Sequence, residues 1–192
     1  MSRAYRITIS ETLRRHIHVA DGLQTQLEIL EILPKEQTAE LLKGELAKAG
    51  FTEVENEDGT KEWVRVDEDG VEVRVDPLEG TVQVRAQADE KVNIEREKQI
   101  RVYAENDAAM RERGQEALEA ELEGEVSDRE KNIQAELTRK LEGKLGDLRK
   151  ELDRVANTVT AEALKRKAAA MGEVQEISED PESGSLTIRV KI

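Results

Sequence analysis

The chain has 192 residues and a mass of 21.6 kDa, the size of one ordinary domain or of a small domain with an extension. It carries 43 Asp and Glu against 30 Lys and Arg, a formal charge of −13, and only 2% of its residues are aromatic. The acidity argues against general affinity for DNA, RNA or an anionic membrane, and the scarcity of rings argues against a base-stacking platform. The absence of cysteine excludes disulfides, thiolate nucleophiles and Cys-ligated metals. No run of 18 apolar residues occurs and Met1–Tyr5 lacks the apolar stretch of a signal peptide, so the expected location is the cytoplasm, with no membrane span.

The first part of the chain reads as mixed α and β. Tyr5, Ile7 and Ile9 alternate as on a strand with one buried face. Leu27–Leu33 is dense enough in apolar residues for a second strand, although its period is ambiguous. Pro34 stands where the first turn of a helix can use its fixed φ and missing N–H. Leu41, Leu42 and Leu46 then form an apolar stripe that ends at Gly50, a C-terminal cap, with Phe51 placed to close over the last turn. Beyond it the period is two, through Trp63, Val64 and Val66, then Val71, Val73 and Val75, then Val82 and Val84. Asp69-Gly70 and Asp76–Gly80 punctuate these runs as hairpin turns. A three-stranded antiparallel meander crossed by one helix would bury the valines. Val92-Asn93-Ile94 and Ile100-Arg101-Val102 also alternate like strands, but helix over 91–105 is the competing assignment.

From about Ala104 to Ala170 there is no proline, and the pattern is helical. Its apolar ladder is Leu118, Leu122, Val126, Ile133, Leu137, Leu141, Leu145, Leu148, Leu152, Val155 and Val159, at about 3.7 residues per step once a missed rung at Arg129 is allowed. That is close to the hendecad period, so any supercoil should be weak. Gly124 interrupts the ladder, and Ser127–Glu130 has the form of a capping box. Residues 105–130 carry a net charge of −7 and residues 131–170 a net +4. An acidic arm followed by a basic one suits an antiparallel helical hairpin. A single rod of about 100 Å is the alternative.

After Gly172 the segment Asp180-Pro181-Glu182-Ser183-Gly184-Ser185-Leu186-Thr187-Ile188-Arg189-Val190 repeats the spacing of Asp, Pro, Gly and Arg found in Asp76–Ala86. It predicts a second hairpin, whose alternation through Leu186, Ile188, Val190 and Ile192 requires a sheet to bury it. The expected architecture is therefore α+β: a small antiparallel sheet with a packed helix in residues 1–103, a long coiled-coil-like helical arm in 104–171, and a C-terminal hairpin in 172–192 that rejoins the sheet.

No catalytic constellation accompanies this pattern. His16 and His18 share one face of a strand, with Glu11 and Asp21 the nearest further ligands, but a structural zinc needs four. Arg14-Arg15-His16-Ile17-His18 makes a local basic patch that reads as a solvated face. Ser10, Ser127, Ser178, Ser183 and Ser185 lack a G-x-S-x-G setting, and no phosphate-binding glycine loop occurs. The carboxylates of Glu55–Gly59 and Asp67–Asp69 sit in turns, and the Asp58-Gly59 stretch fails EF-hand spacing. No catalytic residue, cofactor or metal ligand is assigned.

The strand and helix of Leu27–Phe51, the Gly70 and Gly80 hairpins and the terminal Asp180-Pro181…Gly184–Ile188 segment together resemble small bacterial accessory proteins encoded with a MoxR-type AAA+ ATPase and a von Willebrand A-domain protein. The resemblance covers the β segments, leaves the helical arm unmatched, and implies a non-catalytic adaptor in an ATPase-driven assembly. The residues themselves point to a non-enzymatic scaffold or interaction protein that self-associates through the eleven ladder positions or meets another protein there, since a long helix without contacts is poorly held. The alternatives are a metal-dependent hydrolase using the carboxylate-rich turns, and a weak nucleic-acid binder using the basic half of the arm.

Overall fold

A computed structural model describes residues 4–103, 106–180 and 185–191. The protein is α+β. Strand β1 (Ala4–Gln26) leads to helix α1 (Lys35–Lys48), and strands β2 (Thr52–Glu55), β3 (Lys61–Val66), β4 (Val71–Asp76) and β5 (Thr81–Tyr103) follow. Helix α2 (Asp107–Met171) then precedes β6 (Glu173–Asp180) and β7 (Ser185–Lys191). Strands β1 to β5 make one sheet in the order β1-β5-β4-β3-β2, and β6 and β7 make a second, two-stranded antiparallel sheet. The chain divides into two compact units, Met1–Asp21 with Gln87–Lys140, and Gly22–Ala86 with Leu141–Ile192.

In the second unit the expected meander forms on the expected turns. Val71, Val73 and Val75 of β4 stand opposite Ala86, Val84 and Val82 of β5, and all six are buried. Register places Trp63 opposite Val75 and Arg65 opposite Val73, so these two residues, rather than Val64 and Val66, share the valine face. Gly70 and Gly80 hold φ of 75° and 70°, the left-handed conformation that glycine adopts without a Cβ penalty. At the second turn the Asp76 carboxylate accepts hydrogen bonds from the backbone N–H of Leu78 and Glu79, which fixes the bend. Helix α1 buries Ala39, Leu42 and Leu46. It ends as the sequence predicts: Phe51 N–H reaches back to Leu46 C=O, Gly50 N–H to Ala47 C=O, and the Phe51 ring is buried.

Four features differ from the sequence expectations or decide between them. The arm is no hairpin: α2 is one helix of 65 residues, about 100 Å along its axis. Gly124 and Ser127 lie inside it without a turn. The acidic stretch finds its positive partners on β1 and β5 instead of on a returning helix, so nothing favours a bend. Second, the open choice over residues 91–103 falls to strand, the continuation of β5. Third, Leu27–Leu33 is irregular. Ile29 N–H bonds to Leu27 C=O and Ile32 N–H to Leu30 C=O, tight turns incompatible with an extended strand. Fourth, the terminal hairpin forms, but among the described strands β6 and β7 pair only with each other and do not join the five-stranded sheet. Residues 181–184 of its predicted turn lie outside the described residues.

The first unit is simpler: β1 to Asp21, β5 from Gln87, and α2 to Lys140. Ile9, Ile17 and Val19 of β1, Val92 and Val102 of β5, and Leu118, Leu122, Val126 and Leu137 of α2 are its buried side chains. Gly114 allows the close approach: a Cβ there would lie 2.5 Å from Ile9 Cδ1 and 3.0 Å from Ile100 Cδ1.

Candidate interaction surface

The apolar ladder lies on the covered side of α2. Leu118, Leu122, Val126, Leu137, Leu141, Leu148, Leu152, Val155 and Val159 are buried within one chain, and Ile133 and Leu145 are partly exposed. These buried side chains are thus packed inside the protein, as the apolar face of an amphipathic helix is.

Flanking the stripe, ion pairs fix the rotation of α2 within each unit. In the first, Arg96 of β5 grips Glu125 through two nitrogens at 3.1 and 2.8 Å, Lys98 meets Glu121 at 3.2 Å, and Arg129 of α2 reaches back to Glu90. From the β1 side Arg15 approaches Glu123 at 3.4 Å, and Thr138 donates its hydroxyl to Asp21 at 2.6 Å. These charged pairs are half exposed, so each adds tenths of a kcal/mol and the set selects one orientation.

In the second unit the corresponding contact is stronger. Arg65 of β3 donates to Glu151 of α2 through Nη1 and Nη2 at 2.5 and 2.8 Å, and Nη1 also reaches the Ala49 carbonyl at the end of α1 at 2.8 Å. Its guanidinium lies 4.6 Å over the Phe51 ring. Asp67 approaches Nε at 3.3 Å without hydrogen-bond geometry, and that N–H stays unpaired. The hydrogen bonds from Arg65 hold the Glu151 carboxyl below its ordinary value, against the opposing effect of burial. Lys144 pairs with Asp69 at 2.5 Å. The Asp67 and Asp69 carboxylates of this turn are therefore held by Arg65 and Lys144.

His16 and His18 are exposed and point to Asp89 of β5, His16 Nε2 at 3.3 Å and His18 Nδ1 at 2.9 Å. The hydrogen bond with His18 lowers the Asp89 carboxyl below its ordinary value. Glu11 and Asp21 do not join them. Among the described residues no group of three or more His, Asp or Glu stands in metal-binding geometry.

Exposed apolar side chains also line a groove in the second unit. The irregular segment after β1 and the β4–β5 turn enclose a groove of about 190 Å³, lined by Leu27, Ile29, Leu30, Leu33, Pro77 and Leu78 with Glu31, Glu79 and Lys35 at its rim. Leu30 and Leu78 are 65% and 51% exposed. Sequence reasoning missed this groove because it spent Leu27–Leu33 on a strand. The ambiguous period of Leu27–Leu33 and the proline at 34 were the available signals. No described helix is long and apolar enough to cross a membrane.

No curated protein and no solved structure matches the chain significantly. A family model does, and its match runs from residue 1 to residue 192, covering helix α2 and both sheets alike. The chain belongs to the FtsH ternary system domain X5 family, an accessory domain of an ATPase-linked ternary system.

Proposed function

We propose that this chain is a non-catalytic adaptor that binds the protein components of its ternary system, a MoxR-type AAA+ ATPase and a von Willebrand A-domain protein among them, in the cytoplasm. The observation that carries the reading is the family match over all 192 residues. It is supported by the way the charged groups are used: Arg65, Glu151, Asp67, Asp69 and Lys144 are engaged in joining β3, its following turn and α2. Self-association through α2 and its eleven ladder positions belongs to the same reading.

The test is reconstitution. The purified full chain is mixed with the FtsH-type ATPase, the MoxR-type ATPase and the von Willebrand A-domain protein of the same organism, singly and together, and run on a sizing column. The expected result is co-elution in fixed ratio with at least one ATPase and an altered rate of ATP hydrolysis. Separate elution from all of them would overturn the adaptor reading. Binding to the FtsH-type ATPase alone would remove the MoxR-type and A-domain partners from it.

A further inference from the structure

The first unit is a two-stranded ribbon with one helix on it, and one of its strands, β1, lies at the edge of the sheet. Strand β1 ends the five-stranded sheet, so over Tyr5–Ala20 its outer edge carries a row of backbone N–H and C=O groups that no described strand pairs with. Long edges are normally protected by proline, lysine, shortness or inward-pointing charges. Ala4–Gln26 has 23 residues and contains neither proline nor lysine; its inward charges within the paired stretch are Glu11 and Arg15, of opposite sign and four residues apart. The partner strand makes the contrast. Gln87–Tyr103 of β5 has eight charged residues in 17, two of them lysine, whereas Ala4–Ala20 of β1 has four, not counting histidine.

We propose that the outer edge of β1 pairs antiparallel with β1 of a second copy of the chain, about a two-fold axis at Leu13. This is a self-contact other than the one assigned to α2 above, and it rests on the adaptor reading for its biological use. Self-complementarity selects both the occupant and the register. With Leu13 opposite Leu13, the helix-covered side sets Ile9 against Ile17, Ile7 against Val19 and Glu11 against Arg15. The other side sets Thr8 against His18, Ser10 against His16 and Thr12 against Arg14, with no like charges opposed. Sliding by two residues in one direction puts Arg15 against Ile9 and Glu11 against Leu13. Sliding the other way puts Glu11 against Ile17 and Arg15 against Leu13. A larger slip opposes Glu11 to Glu11 or Arg15 to Arg15. One register alone matches apolar to apolar and acid to base.

The second layer fits as well. Two strands at about 4.8 Å are as wide as one helix packed at about 10 Å. A four-stranded sheet β5-β1-β1-β5 therefore carries two α2 helices side by side on its covered face. The acidic flank of α2 is the opposing term, and Arg15, which already draws Glu123 toward the edge, places two guanidinium groups between the helices. The contact is isologous: it uses both edges and closes on itself.

The absence of cysteine makes the register testable by cross-linking the full chain. Directly opposed residues lie about 4.5–5.5 Å apart at Cα, within disulfide range. Leu13→Cys is expected to give a disulfide-linked dimer under mild oxidation, while Ser10→Cys, six positions from its own symmetry mate, forms no disulfide. Equal cross-linking of the two, or none at Leu13, would overturn the pairing. As a second measurement that spares Leu13, sedimentation equilibrium should return twice the chain mass at about 100 µM. Glu11→Arg and Arg15→Glu should each weaken the dimer about tenfold, roughly 1.4 kcal/mol, and the double swap should restore it. A native-sequence chain that stays monomeric, or a double swap no better than the singles, would sink the proposal. Complex formation with the ATPases, read on the sizing column, reports separately on the adaptor reading.

Discussion

Arg65 carries four contacts on one side chain: two hydrogen bonds to Glu151, one to the Ala49 carbonyl, and the face of Phe51. The planar guanidinium can do this because its donors lie in a fixed fork, which an ammonium group lacks. Arg65→Ala should therefore cost about 2–3 kcal/mol in urea unfolding, and Arg65→Lys should recover no more than about half of that. A lysine variant as stable as the native protein would show that the fork contributes nothing. The same pair sets an acid response. Its Glu151 carboxyl titrates below the ordinary 4.5 when folded, so its contribution is complete above pH 4.5 and fades as the pH falls through the folded value. The Arg65→Ala chain should lose stability less steeply than the native one below pH 4.5. Parallel acid limbs would count against the linkage. Sequence alone gave no hint of the pair, because Arg65 sits at an inward position of a valine-rich run and Glu151 is 86 residues away.

At the scale of elements, α2 shows which glycines are structural. An added Cβ at Gly124, Gly143 or Gly146 would meet nothing within 4 Å, so these residues only weaken the helix. Each change to alanine should stabilise the protein by about 0.5–1 kcal/mol, read as a higher urea midpoint with unchanged slope. A lower midpoint at any of them would mean that the helix is interrupted there, as a hairpin requires. Gly22 is the opposite case. A Cβ would lie 2.6 Å from the backbone oxygen of Val84, where the neighbour cannot move aside as a side-chain tip can. Gly22→Ala should cost about 1–3 kcal/mol. The ladder has its own magnitude: Leu122→Ala, at a side chain 1% exposed, should cost about 2–4 kcal/mol. Full stability of that variant would place the ladder outside the packed interior.

For the molecule as a whole, what could be read from the sequence was what is local. The α1 cap at Gly50–Phe51, the Gly70 and Gly80 turns, the β4–β5 valines and the α2 ladder each announce themselves within about ten residues. What was missed is long-range. The inward positions of β1 run Ile7, Ile9, Glu11, Leu13, Arg15, Ile17, Val19 and Asp21, and the charged members hide the alternation. Arg15 and Asp21 make sense only beside Glu123 and Thr138 of α2, more than 100 residues away in the chain. The net charges of the two halves of α2 invited a hairpin for the same reason, since β1 and β5 were not visible as the acidic half's partners. This separation of local from distant contacts has a kinetic consequence. The β3–β4–β5 meander closes through short turns, whereas seating β1 requires chain closure over 71 to 117 residues, with its loop-entropy cost met before the contacts form. The meander should therefore be formed, and β1 still loose, in the folding transition state. Val84→Ala is expected mainly to slow refolding, and Ile17→Ala mainly to speed unfolding, in stopped-flow chevrons on the full chain. The reverse assignment would mean that the β1 ribbon and α2 nucleate the fold and the meander condenses on them.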